Sequence, residues 1–341
     1  MNKSKQILFL FFFFWSLKTA AQDFQFGQFY AVPLYYNPAF AGSNLNSRFT
    51  AGYRSQWTGL QGWRGWLASF DLYLKNASSG AGIYFSNNRI NRLGYSHTSA
   101  MVQYAYRSKI SRKVRLSTGI GLGFGQVSWD FSNLTFGDQL VGDPVAPFSA
   151  DQVANRSLSA FYPDIQIGFL IYTQKWWVSL SGLHPHSPTF ELSGENQIEM
   201  RTNLSFGYRF EMEKPTDYQG EISPNAITPA VLIRNQGTAS QLDLGVYIHY
   251  VPFVFGVWYR GLPTTFTSKS GESRLNRDAL TALMGIKQNN LSIGYSYDIN
   301  LSGLVGVLGG SHEISLTYEF KTKYLSLKGL KQSKALPCPS F

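Results

Sequence analysis

The sequence predicts an all-β protein: a transmembrane antiparallel β-barrel of about 14 strands, preceded by a cleaved N-terminal signal peptide. Three observations predict this fold. They are a leader-like N-terminus, a bias toward aromatic residues and glycine, and long stretches in which apolar and polar residues alternate. Aromatic residues make up 16% of the chain, charged residues only 15%, and glycine occurs 32 times. Aromatic side chains favour strands and the interfaces of membranes.

The first 21 residues have the three parts of a signal peptide. Lys3 and Lys5 are basic, residues 7–17 are apolar with five phenylalanines, and small residues follow at Ala20 and Ala21. This pattern is typical of an exported protein, and we expect cleavage between residues 21 and 22. The apolar stretch of 11 residues is shorter than the roughly 20 that a membrane-spanning helix requires. An exported chain without such helices can occupy a membrane as a closed barrel.

Residues 22–46, which precede the first predicted strand, have no alternating pattern. Pro33 and Pro38 also prevent a regular helix in this segment. We therefore expect a periplasmic or plug-like segment. Five of its residues are candidates for docking a partner: Tyr36, Asn37, Pro38, Phe40 and Gly42.

The barrel is predicted over residues 47–320 because strand-like stretches recur along this whole range. Between Val114 and Gln126, apolar or nearly apolar residues occupy the even positions, and polar residues or glycine occupy the odd ones. A period of two indicates a strand with one apolar and one polar face. Fourteen such stretches are found, at 47–57, 64–74, 79–88, 94–107, 113–129, 161–173, 175–183, 200–212, 226–236, 240–250, 252–260, 277–287, 290–300 and 311–320.

One of these strands carries glycine at alternate positions of its polar face: Gly119, Gly121, Gly123 and Gly125. The polar face of a membrane barrel strand points into the lumen. Alternate glycines allow another part of the molecule to approach the wall closely. We expect these four residues to contact a plug, a folded loop or a ligand in the lumen.

The lengths of the connections test the strand count. Periplasmic turns of such barrels are short and external loops are longer. The predicted even-numbered connections are mostly short, and the long ones, such as 130–160 and 184–199, are odd-numbered. Two connections break the rule, since 213–225 is too long and 237–239 is too short. A miscounted pair of strands in this region therefore stays open.

The last predicted strand ends with Tyr318 and Phe320, two aromatic residues on one face. This ending resembles the signal that barrel-insertion machinery reads on terminal strands, although an ordinary amphipathic strand is the alternative. The tail 321–341 that follows has five lysines and no acidic residue. Lys328, Lys331 and Lys334 are candidates for docking a periplasmic partner, and a solvated tail is the alternative.

Catalytic and metal sites are not indicated. Cys338 is the only cysteine, which excludes a disulfide framework and a cysteine-based zinc site. His184 and His186 form a close histidine pair but have no third metal ligand nearby in the sequence. The net charge of +10 comes from scattered lysines and arginines, and an exported protein seldom meets nucleic acid. We expect no enzyme activity, no cofactor, no metal and no nucleic-acid partner.

Several short blocks resemble the PorP/SprF family of Bacteroidetes outer-membrane proteins. The most specific block is Asn-Pro-Ala-Phe-Ala-Gly at residues 37–42, within a similar stretch from Gln28. The likeness continues at 53–57, 68–71, 294–298 and 310–314 and ends with Cys-Pro-Ser-Phe at 338–341. The resemblance therefore covers essentially the whole mature chain.

This resemblance implies an outer-membrane component of the type IX secretion system, which exports adhesins and supports gliding motility. The partners implied are the C-terminal sorting domain of a secreted adhesin, other secretion components including periplasmic and motor-associated proteins, and outer-membrane lipid. The family is not known for catalysis. The alternative function is a passive outer-membrane channel or a FadL-like transporter of small or hydrophobic molecules, and an outer-membrane hydrolase is a third, weaker reading.

Overall fold

The computed structural model describes residues 23–44, 46–60, 62–74, 77–132, 134–140, 149–151, 157–191, 195–218, 221–262, 276–301 and 309–320. Most of these residues are in antiparallel strands. Helical elements in the described part of the chain include α1 (Pro33–Tyr36) and short 3₁₀ turns at Pro38–Phe40, Thr58–Leu60, Asn91–Leu93 and Gly137–Leu140. Among the residues described, no helix has the length and apolar character needed to cross a membrane.

The strands account for the alternating stretches of the sequence. They are β1 (Ser47–Ser55), β2 (Trp63–Leu74), β3 (Ser79–Ile90), β4 (Tyr95–Lys109), β5 (Arg115–Asp130), β6 (Ser157–Tyr172), β7 (Trp176–Leu183), β8 (Thr189–Glu191), β9 (Glu195–Gln197), β10 (Arg201–Tyr208), β11 (Phe210–Tyr218), β12 (Glu221–Gln236), β13 (Ala239–Tyr250), β14 (Phe253–Leu262), β15 (Asn276–Gln288), β16 (Leu291–Asn300) and β17 (Ser311–Phe320). Most bounds agree with the predicted stretches to within two residues.

Fourteen of these strands close into a barrel. Neighbours in the sequence pair with each other around the ring, and β1 pairs with β17 from Ser47 opposite Phe320. The ring passes from β7 to β10 and then from β10 to β12, where Arg201 lies opposite Gln236. The strands β8 and β9 form a separate small hairpin. The predicted transmembrane barrel and its strand count are confirmed.

The two connections that broke the length rule have a structural explanation. Chain 213–225 is not a loop, because β11 and the first part of β12 pair as a hairpin from Tyr218 opposite Glu221. This hairpin extends beyond its neighbours, since the last residue of β10 paired with β7 is Tyr208. The connection between β12 and β13 is a tight turn at residues 237–238. No pair of strands was miscounted.

Burial alternates along the strands as a membrane barrel requires. In β5 the even positions Ile120, Leu122 and Phe124 are exposed on the outer face, where lipid lies. The inner face carries polar and small residues, many of them buried. Periplasmic turns are the short ones. The short turns of this barrel lie at the end where β1 begins and β17 ends. That end is therefore periplasmic, and the opposite end is external.

Residues 23–44, called the plug below, lie inside the barrel. Every residue from 28 to 42 is buried. The largest group of buried apolar side chains in the described chain combines plug residues such as Phe26 and Leu34 with wall residues such as Trp177 and Tyr247. The hydrophobic core of this protein is thus inside the barrel, and the plug provides about half of it.

Candidate functional site

The candidate site is the lumen with the plug that fills it. The plug begins at the external end, where Asp23 is held by residues at the external ends of three wall strands. Its carboxylate accepts a hydrogen bond from Nε2 of His184 at 3.0 Å and lies 3.7 Å from the guanidinium of Arg201. Its backbone N–H donates to the side chain of Gln236 at 2.9 Å. We call these contacts the external latch.

The external latch is a buried network of charges. Nδ1 of His184 donates to Asp164 at 2.7 Å, so the imidazole bridges two carboxylates. Burial by itself lowers the pKa of His184, but Asp23 and Asp164 outweigh burial and raise this pKa to about 10. Burial likewise raises the pKa of Asp23, but His184 and Arg201 hold it well below its ordinary value. The latch is therefore charged at neutral pH.

A second set of contacts holds the plug near the middle of the lumen. Glu313 accepts hydrogen bonds from the backbone N–H groups of Gly27 at 2.6 Å and Gln28 at 2.8 Å. The same carboxylate pairs with Arg54 at 2.8 Å, and Arg54 also pairs with Asp298. These wall charges are almost completely buried. A buried charge is stable only when it is paired and hydrogen-bonded, so this network depends on all of its members.

The side chain of Gln28 completes the middle anchor. Its amide donates to the hydroxyl of Ser296 at 3.0 Å and to the carbonyl of Glu313 at 3.1 Å. Its side-chain oxygen accepts a hydrogen bond from Ser315 at 2.6 Å. One glutamine of the plug thereby joins β16 to β17, and its polar groups are satisfied although it is fully buried.

The turn of the plug at residues 37–40 lies against β5, β6 and β7. The amide of Asn37 donates to Ser179 at 2.9 Å and to the carbonyls of Phe169 and Leu180. Its side-chain oxygen accepts from the backbone N–H of Ala39 and so caps the 3₁₀ turn that follows. Asparagine serves here because it can donate to the wall and accept from its own backbone at once.

The plug leaves the lumen at the periplasmic end. The backbone N–H of Gly42 donates to Asp71 at 2.8 Å, and Asp71 pairs with Arg48 at 2.9 Å. Gly42 has a φ of +61°, which a residue with a Cβ rarely adopts, and a Cβ there would collide with the backbone of β2 and β3. Arg107 donates to the carbonyl of Ala41 at 2.8 Å. Glycine at position 42 thus allows the plug to turn into β1.

A small cavity lies between plug and wall. The described residues enclose a cavity of about 10 Å³, which is about the size needed for one water molecule. It is lined mainly by apolar and aromatic side chains, including Tyr30, Tyr36 and Phe40. Within the described part of the chain, no group of three or more potential ligands could hold a metal ion.

The structure places the five candidate docking residues of the plug inside the barrel. Tyr36, Asn37, Pro38, Phe40 and Gly42 are all buried. In this arrangement their contacts are with the wall rather than with a partner, because the barrel surrounds them on all sides. A role of these five residues in docking a partner stays a prediction.

The four glycines of β5 lie on the inner face and have different neighbours. The plug backbone at Pro38 and Ala39 packs directly on Gly119. Gly121 lies beside the side chains of Gln103 and Gln166, Gly123 beside Met101, and Gly125 beside the ring of Tyr162. Among the atoms nearest to each glycine, plug atoms are found at Gly119.

The remaining candidates lie at the end of the chain. Tyr318 and Phe320 are exposed on the outer face of β17, with their rings 4.9 Å apart. Lys328, Lys331 and Lys334 lie outside the described residues. The histidine pair is split, because His184 belongs to the external latch whereas Nε2 of His186 contacts the carbonyl of Pro163 at 3.0 Å.

The sequence analysis missed the residues that anchor the plug. Asp23, Gln28, Arg54 and Glu313 were not singled out, and His184 was considered only as a metal ligand. Asp23 and His184 are 161 residues apart in the sequence, and Gly27 and Glu313 are 286 apart. The one available signal was the presence of charges on the inner faces of strands, which indicated a wall network but not its partners.

Comparisons with known proteins give the family. The family described as type IX secretion system membrane protein PorP/SprF matches residues 18–318. Among curated proteins, none matches this chain in sequence.

The solved structures similar to this chain are outer-membrane barrels. One is the deltaS2S3 mutant of the monoaromatic hydrocarbon channel TodX, with a TM-score of 0.49 and 11% identity over 84% of this chain and 94% of that one. Another is the toluene transporter TbuX of Ralstonia pickettii, with a TM-score of 0.48 and 10% identity over 85% of this chain and 94% of that one. A FadL homologue of Pseudomonas aeruginosa has a TM-score of 0.42 and 11% identity over 83% and 93%. At these TM-scores and sequence identities, nothing about transport follows for this chain.

The family match extends over the plug and all the strands but the last two residues of β17. A closed barrel with an apolar outer face is the architecture of an outer-membrane protein. The chain thus belongs to the PorP/SprF family of type IX secretion system membrane proteins, and it resides in the outer membrane.

Proposed function

We propose that this protein is a non-enzymatic component of the type IX secretion system that aids export or surface retention of adhesin-type cargo bearing a C-terminal sorting domain. Membership of the PorP/SprF family supports the secretion role. The single structural observation in favour of a holding rather than a conducting role is the plug itself, whose residues 28–42 are all buried inside the barrel. A cavity of about 10 Å³ beside the plug has room for one water molecule.

The surfaces available to partners lie outside the lumen. At the external end, the β8–β9 hairpin packs over the wall, where Phe190 stacks on Tyr162 at 5.8 Å. A buried apolar group of Val127, Tyr162 and Ile198 supports this hairpin. An ordered external surface of this kind suits cargo that has emerged from the cell. We assign the docking of periplasmic and motor-associated components to the periplasmic end and to the basic tail.

Deletion of the gene followed by comparison of the surface proteome tests the secretion role. We expect one or more adhesin-type proteins to disappear from the surface and to return when the wild-type gene is restored. If those adhesins support gliding, spreading of the cells stops as well. A deletion strain that keeps every surface protein would refute the proposal.

Conductance in planar bilayers tests the alternative of a passive channel. We expect the purified protein to show no steady conductance, because the buried plug lies across the lumen. Deleting residues 23–44 provides the matched control, and this variant should conduct if its barrel remains closed. Steady conductance of the wild-type protein, together with unchanged secretion in the deletion strain, would favour the channel.

A further inference from the structure

We infer that the periplasmic mouth of the barrel binds an acidic polypeptide segment through four cations, which we call the basic mouth. They come from four strands: Lys109 ends β4, Arg115 begins β5, Lys175 directly precedes β7, and Arg209 directly follows β10. This inference rests on the proposed docking of periplasmic components at this end of the barrel. It adds the chemistry of the segment that docks.

The four cations form two cross-strand pairs of like charge. Lys109 lies opposite Arg115 in the ladder between β4 and β5. The backbone N–H of Arg209 donates to the carbonyl of Lys175 at 2.6 Å, so these two residues continue the ladder between β7 and β10 as an opposite pair. Residues directly opposite each other have Cβ atoms about 5 Å apart, and like charges there are destabilising. An anion bound between the paired cations removes this repulsion.

The basic mouth is on the face of the wall that surrounds the lumen. Residues two apart in a strand share a face, and so do residues opposite each other in a ladder. Arg115 therefore shares the inner face with Ser117, and Lys175 shares it with Trp177, both of which are completely buried. On the outer face at this level lies Tyr106, which is 55% exposed. Cations on the inner face favour a polypeptide from the periplasm over the headgroup of a surrounding phospholipid.

Few carboxylates of the described chain neutralise the basic mouth. Three of its cations form no ion pair with any described residue, namely Lys109, Arg115 and Lys175. Glu211 is within electrostatic range of Arg209. The carboxylates of Asp71 and Glu319, at the same end of the barrel, are already paired with other cations. The basic mouth therefore carries an excess of positive charge.

A buried histidine near the basic mouth is a second, independent sign of a ligand. His249 is on the inner face of β13, one residue from its periplasmic end, and is 9% exposed. It is within electrostatic range of Arg209. Its Nε2 has no hydrogen-bond partner among the described residues, whereas buried polar groups normally have one. A carboxylate of the bound segment can accept a hydrogen bond from this nitrogen.

The spread of the cations sets the length of the ligand. From β4 to β10 the ring takes four steps between neighbouring strands. Each step is about 4.8 Å, so the cations extend over about 19 Å. A single phosphate or sulfate ion is too small to bridge them. An extended chain rises about 3.3 Å per residue, and a segment of about six residues with several Asp or Glu side chains therefore fits.

Binding of a labelled acidic peptide tests the inference. Fluorescein-labelled hexaglutamate is titrated with the purified full-length mature protein in non-ionic detergent, and fluorescence anisotropy is measured. We expect hexaglutamate to bind and labelled hexalysine not to bind. Replacing Lys175 and Arg209 together by glutamine should weaken binding about tenfold. Absence of hexaglutamate binding, or equal binding of both peptides, overturns the inference.

A matched control separates the basic mouth from general attraction to a basic protein. Arg64 and Arg89 also lie opposite each other, on the outer face near the external end of β2 and β3. Replacing both by glutamine removes the same charge and should leave the affinity unchanged. Heat-modifiable migration on gels checks that each variant forms its barrel. Equal weakening by the two double variants overturns the assignment to the basic mouth.

Three further results decide the site and the ligand. His249→Leu should weaken binding about fivefold, because a hydrogen bond is lost without a change of charged side chains. Unchanged affinity of this variant counts against the site. Displacement of the peptide by an equal concentration of inorganic phosphate or of phosphatidylglycerol overturns the choice of a polypeptide. Loss of binding on deletion of residues 325–341 assigns the peptide to the basic tail and overturns the basic mouth.

Failure of this inference can be distinguished from failure of the secretion role. The peptide measurement needs no cargo, and the surface proteome of the deletion strain needs no peptide. Absence of peptide binding, together with adhesins lost from the deletion strain, overturns the basic mouth alone. Peptide binding, together with an unchanged surface proteome, overturns the secretion role and supports the acidic-peptide site.

Discussion

Replacement of Gly119 by alanine is expected to displace the plug from the wall. Gly119 lies on the inner face of β5, directly under the turn of the plug. An added Cβ would be 2.5 Å from the carbonyl carbon of Pro38 and 2.7 Å from Cα of Ala39, whereas ordinary contact begins at 3.4 Å. Both neighbours are backbone atoms that no change of rotamer can move. The plug itself must therefore shift away from β5.

The cost of this shift can be worked from the contacts that it disturbs. Overpacking of a close-packed interior costs about 1–3 kcal/mol. The hydrogen bond from Ser117 to the carbonyl of Ala39, at 2.8 Å, lies beside the substitution. Its loss adds about 1 kcal/mol. A total of about 2–4 kcal/mol corresponds to a roughly 30- to 700-fold shift toward the displaced plug.

The assay is the yield of a disulfide between Val32→Cys in the plug and Gly52→Cys in the wall, in a Cys338→Ser background. A Cβ at position 52 lies 3.3 Å from Cγ1 of Val32, so the disulfide can form only when the plug is seated. Gly121→Ala is the matched control, because its added Cβ would lie 3.2 Å from Cβ of Gln166 and would meet side chains only. We expect a marked loss of disulfide for Gly119→Ala and a small change for Gly121→Ala. Equal yields for the two variants would refute the reasoning.

Four further results are expected. Glu313→Ala removes the acceptor for two backbone N–H groups of the plug and the partner of a buried arginine. It should lower the free energy of unfolding in urea by about 3–5 kcal/mol, and an unchanged urea midpoint would contradict this. Raising the pH should also destabilise the protein, because the folded-state pKa of His184, about 10, exceeds the ordinary 6.5. The stabilisation is complete below pH 6.5 and is lost as the pH rises through 10. His184→Gln should remove this dependence of the urea midpoint, and persistence of the same pH profile would show that another group is responsible. Changing both Tyr318 and Phe320 to serine should lower barrel assembly, as measured by heat-modifiable migration on gels, and unchanged migration would exclude an assembly signal there. Deleting residues 325–341 should leave the barrel folded but weaken capture of periplasmic partners in co-purification. Recovery of the same partners with the truncated chain would rule out a docking tail.

The strands could be predicted because the alternation that indicates each strand lies within its own short stretch of sequence. The alternation from Val114 to Gln126 reflects lipid on one side and the lumen on the other, and β5 spans Arg115–Asp130. The hairpin of β11 and β12 was missed because residues 213–225 have no apolar alternation. A strand segment that extends beyond the lipid has no apolar surroundings, so its sequence needs no alternation of apolar and polar residues. Its pairing is visible only when both strands are in place.

The site was predictable only in part. The irregular segment with Pro33 and Pro38 could be recognised as something other than a strand, and the glycines of β5 indicated a close approach. The residue that makes this approach could not be predicted; it is Ala39, whose backbone packs on Gly119. The register of a non-repeating segment against a wall depends on contacts with many strands at once.

The sequence by itself determined that this protein is exported and that its chain forms a barrel of 14 strands with an apolar outer face. Those properties depend on neighbouring residues and on a period of two, so they can be read along the chain. Only the tertiary structure decided that the plug crosses the lumen from the external to the periplasmic end. Closure of the ring brings Asp23 to His184 and Glu313 to Gly27. Buried charges need partners, and the closed barrel supplies them from strands that are far apart in the sequence.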